Sequence, residues 1–289
     1  MLYQVDDLSV PEVYQLFKEA ENPSPLTTSY KKSKVALLFF APSTRTKISF
    51  ELALEENCHS FVTLGSESSS IQKGESAFDS ILTLKAMGID KFIVRTKEKE
   101  LGEILKEYGI SFINAGMGID SHPTQALLDA LTIYQQFKTF TSLKVGLIGD
   151  TKFSRVAKSN IRLLSILGCD LYVCSPEDFC LENNEETISF ISREELVEIC
   201  DVIMILRPQF ESHDGLLLNK KNYMKQFKID CEHEKMMKKE SIIMHPGPVL
   251  RNFEISSELI SCKRSKIFQQ IKNGVSIRTA LIKKMWEGK

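Results

Sequence analysis

The amino-acid sequence predicts an α/β protein of two domains, each a parallel sheet flanked by helices. The chain has 289 residues, 43% of them hydrophobic, which is enough for one large domain or, as the better expectation, two smaller ones. Short apolar runs alternate with helical patterns, as they do where helical crossovers join parallel strands. The alternation starts afresh at Lys144 after a polar stretch, so we expect a domain boundary near residues 135–142.

The first element is a helix whose start carries a capping pattern. Ser9 and Glu12 have the S-x-x-E spacing, and Val13, Leu16 and Phe17 follow as an apolar stripe. Buried strands are then predicted at residues 35–40, 61–64, 91–95, 144–149, 170–174, 202–206 and 242–245. Helices are predicted between them, at residues 44–57, 77–87, 124–137, 154–167 and 193–199. Residues 220–240 are polar and rich in lysine, which indicates a solvated loop and helix.

The composition argues against several classes of partner. With 37 basic and 38 acidic residues the net charge is −1, which offers no bulk attraction for nucleic acid or a membrane. The first residues lack a secretory signal pattern, and the longest apolar run, residues 35–41, is too short to span a bilayer. Seven cysteines, an odd number without a C-x-x-C pair, indicate buried or neutral reduced thiols and a cytoplasmic location.

The strongest local motif follows the first predicted strand and reads Pro42-Ser43-Thr44-Arg45-Thr46-Lys47. Pro42 ends the strand and a helix begins, and the free N–H groups at a helix start favour an anion. The hydroxyls and the Arg45 guanidinium add donors that suit phosphate. The alternative is an ordinary N-cap followed by a surface arginine, but four consecutive polar donors favour a phosphate site.

Two further motifs are weaker when each is taken alone. His122-Pro-Thr-Gln125 opens a predicted helix, and the spacing of three places His122 and Gln125 on one face, where they suit a planar group such as carbamoyl. A capping histidine is the more common role of such a residue. Lys73 stands in the polar stretch 68–75, which is either a surface loop or a carrier of mobile charge for a phosphate.

Three arginines stand near the ends of predicted elements. Arg95 and Arg207 follow apolar strands, and Arg155 lies at a predicted helix start after Gly149-Asp150-Thr151. Because parallel sheets bind ligands outside the carboxyl ends of their strands, these arginines indicate a ligand with several negative charges. The rigid turn His245-Pro-Gly-Pro248 directly follows another strand.

Two other patterns fail as cofactor motifs. Gly146-Leu-Ile-Gly149-Asp150 does not match G-x-G-x-x-G, so a dinucleotide site is unsupported. Met237 stands where the H-E-x-x-H pattern that starts at His233 requires its second histidine, so no zinc site follows.

Together these blocks resemble the aspartate-specific branch of the aspartate/ornithine carbamoyltransferase superfamily. The resemblance runs in order from the first helix to residues 267–274, and several blocks together make chance a poor explanation. The matching blocks are Ser43-Thr44-Arg45-Thr46, Ser69 with Lys73-Gly74-Glu75, His122-Pro-Thr-Gln125-Ala-Leu-Leu-Asp129, Ser154-Arg155-Val-Ala157, Arg207-Pro-Gln209 and Met244-His-Pro-Gly-Pro248.

The resemblance implies a fold, an activity and an assembly. A carbamoyl-phosphate domain would cover residues 1–137 together with a returning C-terminal helix at 264–289, and an aspartate domain would cover residues 138–263. The implied reaction transfers the carbamoyl group of carbamoyl phosphate to L-aspartate, in pyrimidine biosynthesis, without a metal or organic cofactor. The implied assembly is a homotrimer with shared active sites, with a regulatory chain or a dihydroorotase as a possible further partner.

The resemblance also implies roles for individual residues. Ser43, Thr44, Arg45 and Thr46 would hold the phosphate and the carbonyl oxygen, and Arg95, His122 and Gln125 would complete the carbamoyl pocket. Arg155, Arg207 and Gln209 would bind the carboxylates of aspartate, while the backbone of Gly247 and Pro248 would contact the carbamoyl amino group or the substrate amine. Ser69 and Lys73 would reach in from a neighbouring subunit.

The sequence departs from the family pattern at several positions. Lys47 stands in place of an expected Arg, Thr96 of a His, Met117 of an Asp and Leu250 of an Asn. Ala41 and Ser212 replace a Glu and an Arg that pair across the closed domains in the family, so we expect an active enzyme whose closure is less favoured. An ornithine carbamoyltransferase, which typically carries a His-Cys-Leu-Pro motif, and a catalytically silent assembly subunit are the alternatives.

Overall fold

The computed structural model describes residues 1–24, 33–57, 59–65, 70–181, 188–210 and 220–287. The chain divides into two compact units. The first comprises Met1–Leu128 and Lys272–Lys289, and the second comprises Asp129–Ile271. Among the described helices, none is long and apolar enough to cross a membrane.

The first unit is built on a four-stranded parallel sheet with the order β2-β1-β3-β4. Its helices and strands, in chain order, are α1 (Val10–Glu21), β1 (Lys34–Phe39), α2 (Thr44–Glu56), β2 (Ser60–Gly65), α3 (Ala77–Ala86), β3 (Lys91–Thr96), α4 (Leu101–Glu107), β4 (Ser111–Met117) and the start of α5 (Pro123–Phe137). Short 3-10 turns lie at Val5–Asp7 and Ser70–Lys73. The predicted capping box is confirmed, because the N–H of Ser9 and its hydroxyl both donate to Glu12.

The C-terminal helix α10 (Ile267–Glu287) ends in the first unit, as predicted from the family resemblance. Lys284 pairs with Glu12, and the nearly buried Lys283 donates to Glu19 at 2.6 Å. Both acidic partners belong to α1, so two ion pairs attach the end of the chain to its beginning.

The second unit contains a five-stranded parallel sheet with the order β7-β6-β5-β8-β9. Its elements, in chain order, are β5 (Lys144–Ile148), α6 (Arg155–Ile166), β6 (Asp170–Cys174), β7 (Ile188–Phe190), α7 (Arg193–Ile199), β8 (Val202–Ile205), α8 (Lys220–Phe227), α9 (Cys231–Met236) and β9 (Ile242–Met244). Further 3-10 turns lie at Glu177–Phe179 and Ser257–Ser261. The strands and helices that were predicted with bounds between residues 35 and 245 are present. Each of their observed ends lies within one residue of the predicted end.

The sequence prediction missed two strands and two helices. In β4, Asn114 and Gly116 interrupt the apolar run; the buried Asn114 amide instead donates to Tyr3 O at 2.8 Å and to the Ser121 hydroxyl. Strand β7 has only three residues, two of which are exposed. The short helix α4 was not predicted, and the lysine-rich stretch 220–240 forms two helices, α8 and α9, where one was expected.

Each sheet contains a point where the direction of the chain connections reverses. In the first unit β1 leads outward to β2, and β3 leads the opposite way to β4, so the reversal lies between β1 and β3. In the second unit the same reversal lies between β5 and β8. Such a reversal is called the switch point of the sheet. Open parallel sheets bind ligands at the switch point, outside the carboxyl ends of the strands.

Candidate active site

The segment after β1 forms the helix start that the sequence predicts. Ser43 has extended backbone angles as the N-cap, and Thr44, Arg45 and Thr46 form the first turn of α2. Thr44 and Arg45 are exposed, whereas Thr46 is buried. The first turn of a helix presents N–H groups without intrahelical acceptors, and these combine with the hydroxyls and the guanidinium as a donor set for an anion.

Arg95 lies on the other side of the same switch point. It is the penultimate residue of β3 and is buried, with Nη1 donating to the Ala115 carbonyl of β4 at 3.0 Å. The N–H of Phe40 donates to the Arg95 carbonyl at 2.8 Å, so the end of β1 and the end of β3 are joined. The first sheet therefore brings the candidate anion-binding helix start of α2 and the Arg95 guanidinium to neighbouring strand ends.

The start of helix α5 is buried and is stabilised by a contact from α10. His122 and Gln125 are 4% and 9% exposed, and the Gln125 N–H donates to the His122 carbonyl at 3.0 Å. Between them, the Thr124 hydroxyl accepts from Arg278 Nη2 at 3.2 Å. The Arg278 guanidinium also lies 5.0 Å from the centre of the Phe50 ring of α2. Arg278 thus contacts both helices that carry candidate residues of this unit.

Lys73 is exposed at the end of the 3-10 turn Ser70–Lys73. Ser69, its predicted companion, lies outside the described residues, as does Ser212. The expected role of Ser69 and the expected effect of Ser212 on closure stay predictions.

In the second unit, Arg155 is the first residue of α6. Ser154 caps this helix by accepting from the Ala157 N–H at 3.2 Å, and Arg155 is half-buried. The cap fixes where the helix begins, and so fixes Arg155 beyond the carboxyl end of β5.

Arg207 and Gln209 follow β8, the strand beside β5 at the switch point of the second sheet. Asp150 joins the segments that follow these two strands, because its carboxylate accepts from the Gln209 N–H at 2.9 Å and from the Phe153 N–H at 3.0 Å. Arg207 Nη1 donates to the Pro208 carbonyl at 3.0 Å. Two half-buried arginines and a carboxamide therefore stand at adjacent strand ends, a donor set suited to carboxylates.

The close approach of these strand ends requires a glycine. Gly149 has φ +120°, and a Cβ there would lie 2.1 Å from the Leu206 carbonyl oxygen. The Gly149-Asp150 pair, which does not form a dinucleotide motif, instead permits the turn and supplies the carboxylate.

Gly247 and Pro248 lie in the turn after β9, with Gly247 at φ +72° and a cis bond between them. The turn is anchored where it leaves the strand, because the His245 N–H donates to Gln270 Oε1 at 2.9 Å. Gln270 donates to Asp129 at 2.8 Å, and Asp129 also accepts from Asn160 at 2.9 Å. All four side chains are buried, so a polar network supports the turn from inside the second unit.

The six described cysteines are free. Burial raises the pKa of Cys174 and that of Cys200 to about 12, which keeps both as thiols. His233 contributes its ring to the cap of α9, where Nδ1 lies 2.6 Å from Asp230 Oδ1. The incomplete H-E-x-x-H pattern therefore lies in a helix cap, where His233 has a structural role.

Sequence reasoning missed three residues that organise the candidate site: Asp150, Arg278 and Glu254, whose Oε1 lies 3.1 Å from His245 Nε2 beside the turn after β9. Asp150 carried a usable signal, since it directly follows a buried strand, and the carboxyl ends of such strands are where parallel sheets bind ligands. Arg278 lies in an otherwise amphipathic helix, and Glu254 in a loop, so neither had a local signal.

Comparisons with known proteins agree with this arrangement of two sheets. Residues 1–135 match the family model described as the aspartate/ornithine carbamoyltransferase, carbamoyl-P binding domain. Residues 141–285 match that of the Asp/Orn binding domain of the same family.

Solved structures show the same relationship. An aspartate transcarbamoylase from Trypanosoma cruzi, in complex with carbamoyl aspartate and phosphate, is 26% identical with a TM-score of 0.86, over 97% of this chain and 94% of that one. The catalytic subunit of M. jannaschii aspartate transcarbamoylase is 28% identical with a TM-score of 0.85, over 100% and 99% of the two chains. The T. cruzi enzyme in complex with N-(phosphonacetyl)-L-aspartic acid is 27% identical with a TM-score of 0.84, over 97% and 94%. The chain belongs to the aspartate/ornithine carbamoyltransferase family.

Proposed function

We propose that this protein is an aspartate carbamoyltransferase, which converts carbamoyl phosphate and L-aspartate to N-carbamoyl-L-aspartate and phosphate. One observation carries the proposal: the switch point of each sheet bears donors for anions. The first unit offers a helix start with Arg45 and Arg95, and the second offers Arg155, Arg207 and Gln209. The solved relatives in complex with carbamoyl aspartate, phosphate or N-(phosphonacetyl)-L-aspartic acid support the same pair of ligands.

In the proposed reaction the lone pair of the aspartate amine attacks the carbonyl carbon of carbamoyl phosphate. The C–N bond forms, a tetrahedral intermediate carries negative charge on the former carbonyl oxygen, and the C–O bond to phosphate then breaks. The electron pair leaves with phosphate, which also accepts the proton released by the amine. No side-chain nucleophile is needed, so the protein contributes proximity and stabilisation of charge.

The first unit would bind carbamoyl phosphate. Ser43, Thr44 and the N–H groups of the first turn of α2 suit the phosphate oxygens, and the Arg45 guanidinium suits two of them at once. Arg95, His122 and Gln125 would complete the carbamoyl pocket, and Thr46 would assist at the carbonyl oxygen. Their burial favours this role, because hydrogen bonds to a developing charge are stronger when water is excluded.

The second unit would bind the amino acid. Two arginines suit a substrate with two carboxylates, and Gln209 adds a neutral donor. Ornithine has one carboxylate and a cationic side chain, which two arginines would repel. The charge of this donor set therefore favours aspartate over the ornithine alternative, and a silent assembly subunit would have no need to retain it.

We infer from the family pattern that the protein acts as a homotrimer, in which Ser69 and Lys73 of one chain complete the site of the next. The exposed position of Lys73 suits this role, since the side chain is accessible to a second copy. We further propose cytoplasmic carbamoyl aspartate production for pyrimidine biosynthesis, with a regulatory chain or a dihydroorotase as a possible partner.

A competition experiment tests the proposed function. The purified protein is incubated with carbamoyl phosphate and an equimolar mixture of L-aspartate and L-ornithine, and the products are identified by mass spectrometry. We expect carbamoyl aspartate with negligible citrulline. Citrulline as the main product would establish the ornithine alternative, and phosphate release without either product would reject both.

A further inference from the structure

Hydrogen bonds of the His245 imidazole fix the conformation of the turn after β9. The Gly247 N–H donates to His245 Nδ1 at 2.8 Å, and His245 Nε2 lies 3.1 Å from Glu254 Oε1. Because Nδ1 accepts a hydrogen bond, the ring proton belongs on Nε2, from which it is donated to the carboxylate. His245 is 2% exposed and Glu254 is 0% exposed, so water does not compete for these bonds.

This arrangement leaves the turn without an N–H group for a ligand. Pro246 and Pro248 have no backbone N–H, and that of Gly247 is occupied by His245. The turn therefore presents carbonyl oxygens to a ligand, and these accept hydrogen bonds from an amino group. A carboxylate or phosphate, which needs donors, would gain nothing from the same backbone.

The position of Glu254 depends on a reversal of the chain. Asn252 has φ +60°, and its N–H donates to the Ile255 carbonyl at 2.8 Å. The reversal brings Glu254 back beneath the turn, where Oε1 also accepts from the Leu250 N–H at 2.6 Å. The carboxylate thus fixes the ring of His245 and the exit of the turn together.

We propose that Glu254 is a positioning residue that keeps this turn a surface of acceptors for the amino group of the carbamoyl substrate. The inference rests on the proposed function. It takes up one of the two contacts that the family resemblance implies for the backbone of Gly247 and Pro248, the contact with the carbamoyl amino group and not that with the substrate amine. Glu254 acts through His245. Without a carboxylate to accept the hydrogen bond from Nε2–H, the ring is free to carry its proton on Nδ1, where it would oppose the Gly247 N–H. The turn would then rotate and lose its alignment.

Two substitutions at position 254 separate the acceptor from the charge. Glu254→Gln keeps an oxygen that can accept from both His245 and Leu250, whereas Glu254→Met fills similar space without an acceptor. We expect Glu254→Met to raise the Kd for carbamoyl phosphate about tenfold, as for one lost hydrogen bond with an unsatisfied partner. The Kd for inorganic phosphate, which has no amino group, should change less than twofold. Glu254→Gln should remain within about threefold of wild type for both ligands.

The same logic applies at position 245. In His245→Asn the side-chain oxygen can take the place of Nδ1 and accept from Gly247 without help from Glu254, whereas His245→Gln leaves no acceptor there. We expect His245→Gln to resemble Glu254→Met, and His245→Asn to lie close to wild type. In the His245→Asn background, Glu254→Met should add little further loss, because the path through the imidazole no longer exists.

Hydrogen exchange provides a readout that is independent of activity. A peptide covering residues 245–249 reports only the amides of Gly247 and Val249, because its first residue becomes an amine and the other two are prolines. Exchange of this peptide should accelerate in Glu254→Met and His245→Gln but not in His245→Asn. Glu234→Met is the matched control: it removes a carboxylate that pairs with Arg264 at 2.6 Å and should change neither exchange in the turn nor ligand affinity.

The possible outcomes distinguish this inference from the proposed function. Equal losses of affinity for phosphate and carbamoyl phosphate, or additive effects in the two backgrounds, would overturn the positioning role. If Glu254→Met does not fold, the contrast between His245→Asn and His245→Gln decides the matter. A wild-type protein that carbamoylates no amino acid would reject the proposed function, while the exchange data would still decide whether Glu254 holds the turn.

Discussion

The Asp150 carboxylate accepts the backbone N–H of Gln209 at 2.9 Å, across 59 positions of sequence. Its other oxygen accepts the N–H of Phe153, two residues before Arg155. One buried carboxylate therefore sets the positions of both arms that we propose for aspartate binding.

Asp150→Asn should weaken aspartate binding selectively. The amide can satisfy one of the two backbone N–H groups but opposes the other with its NH2. Loss of a hydrogen bond to a charged group costs about 1.5–3 kcal/mol, so the KM for L-aspartate should rise roughly tenfold to a hundredfold. Affinity for inorganic phosphate, measured by calorimetry, should be retained because its ligands lie in the first unit. Asp170→Asn, the same change at an exposed residue, is the control; an equal loss for phosphate in Asp150→Asn would indicate general misfolding instead.

Arg207→Gln should reduce discrimination between L-aspartate and L-asparagine. If Arg207 and Arg155 each meet one carboxylate, removal of one guanidinium penalises the dianion more than the monoanion. We expect kcat/KM for aspartate to fall about a hundredfold, on the scale of a lost charge-assisted hydrogen-bond pair. Arg162→Gln, an exposed arginine on the same helix as Arg155, should behave as wild type. Unchanged kinetics with aspartate in Arg207→Gln would remove Arg207 from the substrate site.

Mixing two inactive variants should restore activity if sites are shared in a three-fold ring. Arg45→Ala and Lys73→Ala should each be nearly inactive. After dissociation and random equal mixing, about three quarters of the rings are mixed and each holds one intact site of three, so activity should recover to roughly a quarter of wild type. Each variant treated alone in the same way is the control. If subunit exchange is demonstrated and the mixture stays inactive, Lys73 does not act across subunits.

The ion pair between α1 and α10 should make part of the stability depend on pH. A hydrogen bond from Lys284, followed by bonds from Ser9, lowers the pKa of Glu12 to about 2. A lowered pKa contributes stability above the ordinary value of about 4.5, and this is lost as the pH falls towards 2. Because the pair is partly exposed, its contribution to the free energy of unfolding is at most about 1 kcal/mol. Glu12→Gln should therefore lower Tm at pH 7 by only about 2 °C.

The difference between Glu12→Gln and wild type should therefore shrink between pH 4.5 and pH 2, as followed by thermal unfolding. Glu55→Gln, an exposed acid on α2, should show no such trend. A difference that stays constant over this range would show that the ion pair does not stabilise the attachment of α10.

Regular elements were predictable where the local pattern and the tertiary position agree. Strand β6 (Asp170–Cys174) and helix α7 (Arg193–Ile199) have the predicted ends, because a buried run and a capped amphipathic run are each sufficient signals. Strand β4 was missed because its central Asn114 is buried by partners at Tyr3 and Ser121, which no local window contains.

The candidate binding groups were predictable in type, since Arg45, Arg155 and Arg207 all stand beside strand ends or helix starts. The residues that orient them were not. Arg278 reaches Thr124 across 154 positions, and Asp150 reaches Gln209 across 59. Glu254 lies only nine positions from His245, but their contact depends on a left-handed residue at 252 that sequence patterns do not specify. The proposed roles of the binding groups stay predictions until ligands are measured.

The aspartate assignment is best tested by the ratio of kcat/KM for L-aspartate to that for L-ornithine, measured with saturating carbamoyl phosphate on the wild-type protein. Two arginines at one switch point should favour the dianionic amine by a factor on the order of a thousand or more, because aspartate forms two charge-assisted hydrogen-bond pairs there and ornithine meets a repulsion. A ratio near one, or faster turnover with ornithine, would contradict the assignment of the second unit to aspartate.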